Sequence, residues 1–166
     1  GYVVASIGHP YHAMFVEDVN GKVTIADMDF VKQALGGSGE YSEEAERAMY
    51  EAEKEWIALR AADEQFVLNT ILTKAKEKEA GAFALIDAEK IGLFGHSLGG
   101  ASSVQLGRER DDIDAVIDLE GTMLGEYTGF ENGYETYNEE PYIVPVLDVN
   151  SKAVRDDIER LENEHE

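Results

Sequence analysis

The segment Gly95-His96-Ser97-Leu98-Gly99 constrains the fold more than any other part of the sequence. It fits the pattern G-x-S-x-G, which by average composition arises by chance in a chain of this length only about 0.06 times. An apolar strand pattern at 90–94 precedes it, and a helical pattern from 98 to about 108 follows it. This order predicts a sharp strand-to-helix turn with Ser97 at its tip.

The chemistry of such a turn depends on its glycines and on the start of its helix. We expect Gly95 and Gly99 to be required, because a Cβ at either position would collide with the neighbouring strand and helix. Ser97 is then a candidate nucleophile. The Leu98 N–H lies at the positive end of the helix, where it can donate to an oxyanion. The alternative is a glycine-rich turn with an inert serine.

The remaining pattern alternates strands with helices, which predicts a single α/β domain with a mostly parallel sheet covered by helices on both faces. The expected strands are 1–7, 90–94, 113–119 and 142–147, and the expected helices are 42–80, 98–108 and 151–164. Asn20-Gly21 before an apolar run at 22–26 predicts a small hairpin. Residues 36–39 are glycine-rich and break the chain, and 125–141 is expected to be a long loop at the edge of the sheet.

The longest helical pattern begins at Ser42, a candidate N-cap, and Gly81 is expected to end it. Its apolar stripe is expected to pack against the sheet. The stripe consists of Met49, Ala52, Trp56, Leu59, Phe66, Val67, Ile71 and Leu72. Arg60 and Asp63 lie three residues apart beside it and are expected to form an ion pair.

Composition excludes several classes of function. The chain has 14 Lys and Arg residues and 35 Asp and Glu residues, and the resulting net charge of −21 disfavours nucleic acid and anionic membranes as partners. The chain has no cysteine, which excludes disulfides, thiolate metal sites and cysteine nucleophiles. It shows no apolar run of about 18 residues, no signal-peptide pattern and no cofactor motif, so neither a membrane span nor a cofactor is expected.

Three segments together resemble the α/β-hydrolase superfamily. They are GHSLGG at 95–100, GYVVASIGHPYH at 1–12 and IDLEGTM at 117–123. Within the superfamily the chain is similar to platelet-activating-factor acetylhydrolase-like and dienelactone-hydrolase-like esterases. The similarity covers most of the chain, from the first expected strand to Met123, and corresponds to the central portion of such a domain. The resemblance implies an α/β-hydrolase fold in which Ser97 forms an acyl-enzyme and Leu98 donates one oxyanion N–H.

The acid of the implied triad has several candidates. In the acetylhydrolase-like branch it follows the strand after the elbow helix, which is Glu120 here. Such relatives usually carry aspartate there, and the longer side chain displaces the carboxylate by one bond. Asp118 is expected to lie still within the strand. Other members of the superfamily place the acid after the next strand, where Asp148 or Asp156 could serve, and the chain could also lack an acid.

The implied base is a histidine that follows the acid in chain order. His9 and His12 precede Ser97, and their spacing is only a weak indication of metal binding. His96 is expected to point away from Ser97 and to pack. His165 is the only histidine after the acid, and it is expected to be solvated at the charged end of a helix.

The resemblance therefore implies that early strands, a first oxyanion loop and a final histidine-bearing strand lie outside these 166 residues. We expect a partial hydrolase domain with an exposed sheet edge, which favours pairing with other chains and hence a homo-oligomer.

The leading interpretation is a serine esterase of short-acyl or lipid-like esters that needs no metal. Met123, Leu124, Tyr127 and Phe130 could wall an acyl pocket, or could simply pack within their loop. A cutinase-like polyester or triglyceride lipase is the alternative within the enzyme class. A non-catalytic hydrolase-fold scaffold is the alternative outside it.

Overall fold

The central element of the fold is a three-stranded parallel sheet. A computed structural model describes residues 1–35 and 42–164, so the predicted breaker at 36–39 and His165 lie outside the described residues. The strands are β1 Phe15–Glu17, β2 Val23–Ile25, β3 Gly92–His96, β4 Ala115–Leu119, β5 Tyr127–Glu131, β6 Tyr134–Tyr137 and β7 Val146–Val149. The helices are α1 Met28–Leu35, α2 Glu43–Lys76, α3 Leu98–Glu109 and α4 Lys152–Glu164, with short 3-10 turns at Gly81–Leu85 and Leu124–Glu126. The predicted mixed α/β architecture with a parallel sheet is confirmed.

The sheet has the order β3-β4-β7, and its register brings the carboxyl ends of the strands together. His96 lies opposite Leu119, and Leu119 lies opposite Val149. The residues that follow the three strands therefore meet at one edge of the sheet, which is where open α/β sheets bind their ligands.

One face of the sheet is buried beneath α3. Small residues allow α3 to lie close to the sheet. At Gly107, for example, a Cβ would lie 2.4 Å from the Tyr142 hydroxyl and 2.7 Å from Val116 Cγ2. The buried cluster beneath α3 consists of Ile91, Val104, Ile113, Val116 and Val144, with Leu68, Leu72, Leu93, Met123 and Tyr142 packed against it. A helix enclosed in this way has little room for larger residues.

The other face of the sheet carries an exposed apolar row. Phe94, Ile117 and Leu147 lie side by side in the register and are 62%, 39% and 57% exposed. The expectation that helices cover both faces is therefore wrong for the described residues. Apolar alternation predicts which side chains share a face of a strand, and it does not predict what covers that face.

Helix α2 begins as predicted, since Ser42 Oγ accepts a hydrogen bond of 3.1 Å from the Ala45 N–H. The helix as a whole packs mainly along α3 and not on the sheet, and Leu68 and Leu72 pack against the core cluster of the sheet. The buried positions are Tyr50, Ala52, Trp56, Ile57, Arg60, Ala61 and Glu64. Leu59 and Phe66 of the predicted stripe are exposed.

The end of α2 differs from the expectation. The chain reverses at Lys78, which has a φ of 56°, and its N–H bonds the Ala75 carbonyl at 3.0 Å. The next N–H, that of Glu79, bonds the Lys74 carbonyl, so the end is a Schellman motif without glycine. An ion pair of 2.9 Å between the same Lys74 and Glu79 side chains stabilises this reversal, and Gly81 does not end the helix.

Two predicted segments outside the sheet have different outcomes. The hairpin near Asn20-Gly21 is confirmed, because β1 and β2 pair antiparallel around it. Residues 1–7 form no strand, and Tyr2 and Val4 are 99% and 67% exposed, so the buried strand expected there is wrong. An apolar run forms a strand only where a neighbouring strand takes up its backbone hydrogen bonds.

The segment 125–141 is a hairpin, and the long loop expected there is wrong. Its turn is Asn132-Gly133, with φ of 55° and 91°, between β5 and β6. An Asn-Gly pair with two positive φ values is the usual two-residue connection between antiparallel strands. The hairpin is attached to α2, where Glu53 accepts a hydrogen bond from the Tyr127 hydroxyl.

The helices within 1–35 and 42–164 include none with the length and apolar character that a membrane span requires.

Candidate active site

Ser97 lies at the sharp strand-to-helix turn that the sequence predicts. Its backbone has φ 54° and ψ −126°, a conformation that costs a residue with a Cβ about 1–3 kcal/mol. The Ser97 N–H donates to the Leu119 carbonyl at 2.8 Å, and its own carbonyl accepts from Ala101 at 3.0 Å. These two bonds hold the strained residue between the end of β4 and the first turn of α3.

The glycines of the turn have unequal roles. A Cβ on Gly95 would lie 2.1 Å from the Gly99 carbonyl oxygen and 2.6 Å from the Gly100 nitrogen, as expected. Around Gly99, no described atom outside its own helical turn lies within 4 Å of such a Cβ, so the collision expected there is not found. The second close approach is at Gly100, whose Cβ would lie 2.0 Å from Asp118 Oδ1.

The start of α3 presents donors beside the serine. Leu98 is the first residue of the helix, and the backbone N–H groups of a first turn have no acceptor within the helix. The Ser97 side chain makes no capping hydrogen bond to them. Because these N–H groups lie at the positive end of the helix dipole, they suit a developing negative charge.

Glu120 lies directly after β4 with a φ of 58°, and its carboxylate makes two contacts. Oε1 accepts from the Ser151 N–H at 3.2 Å, and Oε2 lies 3.3 Å from His96 Nε2. The Ser151 contact first, and the His96 contact second, lower the pKa of Glu120 from its ordinary value. The carboxylate is therefore ionised and oriented at neutral pH.

His96 does not pack as expected, because its side chain is 68% exposed on the uncovered face of the sheet. Its position at the end of β3 brings its ring to Glu120 instead. The sequence predicts only that the two residues follow consecutive strands, and their contact also depends on the left-handed backbone of Glu120, which no pattern predicts.

Asp118 is fully buried on the α3 side of the sheet, still within β4 as expected. Its Oδ1 accepts from the Gly121 N–H at 2.9 Å and its Oδ2 from the Met123 N–H at 3.0 Å. Burial raises the pKa of Asp118, and these two bonds oppose that shift. This role was not predicted from the sequence, although a carboxylate on the buried face of an alternating strand indicates nearby donors.

The alternative acids lie elsewhere. Asp148 is within β7, opposite Asp118, and accepts a bond of 2.9 Å from the Asn150 amide. Asp156 is on α4, where it pairs with Lys152. Across the part of the chain that the structure describes, neither of these two alternative acids contacts a histidine.

The N-terminal histidines belong to a different cluster. His9 Nδ1 lies 2.9 Å from Asp63 Oδ2, and His12 Nδ1 lies 2.7 Å from Arg60 Nη1. The expected Arg60–Asp63 ion pair is wrong, since each of the two residues bonds an imidazole instead. Burial, and then the Arg60 charge, lower the pKa of His12. Among the described side chains, no group of three or more His, Cys, Asp or Glu residues could hold a metal ion.

The side chains considered for an acyl pocket are spread over two places. Met123 packs against the core cluster beneath α3. Leu124 and Tyr127 line a cavity of about 230 Å³ between α2, α3 and the β5–β6 hairpin, and Phe130 is buried beside Tyr50 of α2. A role for Met123 and Leu124 in binding an acyl group stays a prediction, while their contribution to packing is visible.

The structure thus brings Ser97, Leu98, His96 and Glu120 to the carboxyl edge of the sheet. Comparisons with known proteins give no further indication, because no protein-family model, curated protein or solved structure matches the chain. Function therefore has to be inferred from the chemistry of the site itself.

Proposed function

We propose that the chain carries the nucleophilic site of a serine esterase with an α/β-hydrolase type of fold. The observation that supports this most is the backbone of Ser97, at φ 54° and ψ −126° between a parallel strand and a helix start. A strained backbone at a single serine is typical of a nucleophile elbow, and so is a preceding glycine, here Gly95, at which a Cβ would collide with the helix start.

The proposed reaction is acyl transfer. Ser97 Oγ attacks the carbonyl carbon of an ester and loses its proton to a base, and the carbonyl oxygen becomes an oxyanion that accepts from the Leu98 N–H. Collapse of this intermediate breaks the bond to the leaving alcohol, which takes the proton from the base. Water then hydrolyses the acyl-enzyme by the same steps and releases the carboxylic acid.

Glu120 is the proposed acid that orients the base. Its pKa is lowered, and it directly follows β4, the strand that pairs with β3, which Ser97 directly follows. The base is proposed to be a histidine that follows Glu120 in chain order, as in other serine hydrolases of this type.

The proposed substrates are short-acyl or lipid-like carboxylic esters. A cutinase-like polyester or triglyceride lipase would use the same turn, and a series of p-nitrophenyl esters of increasing acyl length separates the two. A preference for acetyl or butyryl esters supports the acetylhydrolase-like proposal, whereas a preference for long chains or polyester films favours the lipase.

A non-catalytic scaffold is the second candidate, and a specific observation favours it. The three histidines in the described residues contact Asp63, Arg60 and Glu120, and none of them contacts the Ser97 hydroxyl. A scaffold would retain the strained turn without activating the serine.

A fluorophosphonate probe separates an activated serine from an inert one. The 166-residue chain is incubated with the probe and its intact mass and peptide adducts are measured. We expect one adduct, on the peptide that contains Ser97, that Ser97→Ala abolishes and Ser6→Ala retains. Folded protein without any adduct would mean either a hydrolase fragment without its base or a non-catalytic scaffold, and equal adducts on several serines would contradict a specific site.

A further inference from the structure

The turn after β4 has an unusual backbone. Glu120, Thr122 and Met123 have φ of 58°, 49° and 59°, so three non-glycine residues within four positions are left-handed. Each such residue costs about 1–2 kcal/mol relative to an ordinary conformation, and a β-branched residue such as Thr122 is a marked outlier. The surrounding structure must therefore hold this turn in place.

The Asp118 carboxylate makes the bonds that hold it. It accepts from the N–H groups of Gly121 and Met123 with one oxygen each, at 2.9 and 3.0 Å. Bonds from N–H groups to a carboxylate are stronger than bonds between neutral groups, and these are shielded from water because Asp118 is fully buried. The two bonds span the turn on both sides of Thr122.

The carboxylate also fits a slot between the turn and the helix that Ser97 begins. A Cβ on Gly121 would lie 2.2 Å from Asp118 Oδ1 and 2.7 Å from the Ala101 nitrogen, and a Cβ on Gly100 would lie 2.0 Å from the same oxygen. Glycine on both sides leaves room for the carboxylate alone. The turn and the first turn of α3 are thus in contact through Asp118.

We propose that Asp118 is a positioning residue, which fixes the turn 120–123 and thereby places the Glu120 carboxylate. The catalytic meaning of this placement rests on the proposed function. Asp118 fixes the turn from the buried side of the sheet, and the Glu120 N–H bonds the Val149 carbonyl at 2.9 Å. With its backbone held at both points, Glu120 can reach His96 and the Ser151 N–H at the same time.

The placement of Glu120 can be measured without any catalysis. The Ser151 N–H donates to Glu120 Oε1, so its hydrogen exchange reports where that carboxylate lies. We expect Asp118→Asn to speed the exchange of Ser151 at least tenfold, together with that of Gly121 and Met123, in the full chain by NMR. An asparagine keeps one acceptor oxygen and turns a donor toward the second backbone N–H, so the turn loses one bond.

The matched control is Asp114→Asn, which also changes an aspartate that accepts a backbone N–H, that of Ile91 at 2.7 Å, at the other end of β4. This control should leave Ser151 exchange unchanged. Unchanged Ser151 exchange in Asp118→Asn would overturn the proposal. If Asp118→Asn does not fold, Gly100→Ala displaces the same carboxylate and should speed Ser151 exchange by a similar factor, with an unaffected Ser151 again counting against it.

A second experiment tests the role of Asp118 in catalysis by comparing the rates at which variants are labelled by the fluorophosphonate at Ser97. If Asp118 acts through Glu120, the double variant Asp118→Asn/Glu120→Gln should label no more slowly than Glu120→Gln alone. Effects that multiply would mean that Asp118 acts by a separate, structural route, and would overturn the proposal. If the unchanged protein is not labelled at all, the proposed function fails for this chain, while Ser151 exchange still decides whether Asp118 positions Glu120.

Discussion

Replacing Gly95 and Gly99 with alanine should have opposite effects on stability. At Gly95 the new Cβ would lie 2.1 Å from the Gly99 oxygen, 2.2 Å from the Gly99 carbonyl carbon and 2.6 Å from the Gly100 nitrogen. All three are backbone atoms, so the first turn of α3 must move by an ångström or more. We expect a loss of about 3 kcal/mol, the upper part of the usual cost of overpacking.

At Gly99 the same substitution meets no described atom within 4 Å outside its own helical turn, and the residue lies within α3. Alanine there should instead stabilise the protein by about 0.5–1 kcal/mol, because it reduces the freedom of the unfolded chain and favours the helix. The two variants should therefore differ by about 4 kcal/mol, or by about 10 °C in Tm for a domain of this size.

The measurement is urea unfolding followed by the fluorescence of Trp56, the single tryptophan, which is 8% exposed on α2. The slope against urea should be similar for both variants, and the midpoints should move in opposite directions. Equal urea midpoints for the two variants would show that a Cβ at Gly95 does not collide with the start of α3. The close packing of the turn around Ser97 would then be refuted.

Three further predictions concern stability. Ser97→Gly should raise the urea midpoint by the equivalent of about 1 kcal/mol, since glycine relieves a positive φ, while all labelling is lost; a lower midpoint would contradict the strain. Arg108→Met should lower the free energy of unfolding by about 3 kcal/mol, because it leaves the buried Glu126 carboxylate unpaired. The control is Arg110→Met, whose acidic partner Asp112 is 37% exposed, and it should lower the free energy of unfolding by about 1 kcal/mol or less in the same assay. Burial raises the pKa of Glu64 above its ordinary value of 4.5. Between the pKa of the unfolded state and that of the native state, the native state binds more protons, so stability falls as pH rises through this range. Glu64→Gln should flatten this slope in urea midpoints measured between pH 4 and 7, and identical slopes would count against it.

The part of the fold around Ser97 was predictable because its signals are local. A strand pattern, three small residues at fixed spacing and a helix pattern occupy 19 consecutive positions, and the structure forms β3, the turn and α3 in that order. The N-cap at Ser42 and the hairpin at Asn20-Gly21 are local in the same sense. Each needs only its own neighbours in sequence to satisfy its backbone hydrogen bonds.

The parts that were not predictable depend on distant partners. Residues 1–7 have the composition of a strand but lie exposed, and Phe94 has the pattern of a covered face but is 62% exposed. The contact between His96 and Glu120 depends on a backbone conformation that Asp118 supports from the opposite side of the sheet. The Asn132-Gly133 turn is different, because its signal is local and an Asn-Gly pair between two strand patterns predicts a hairpin.

The distribution of strained residues bears on whether this site is functional or a plain structural turn. In the described residues seven non-glycine residues have positive φ, and four of them lie within four residues after the end of β3 or β4: Ser97, Glu120, Thr122 and Met123. Glycine at any of these positions would remove about 1 kcal/mol of strain. A turn that only connects elements would be expected to use glycine there, as this chain does at Gly21 and Gly133, which have φ of 79° and 91°. Side chains kept at a cost in free energy, beside helix donors and the Glu120 carboxylate, therefore support the proposal of chemistry at Ser97.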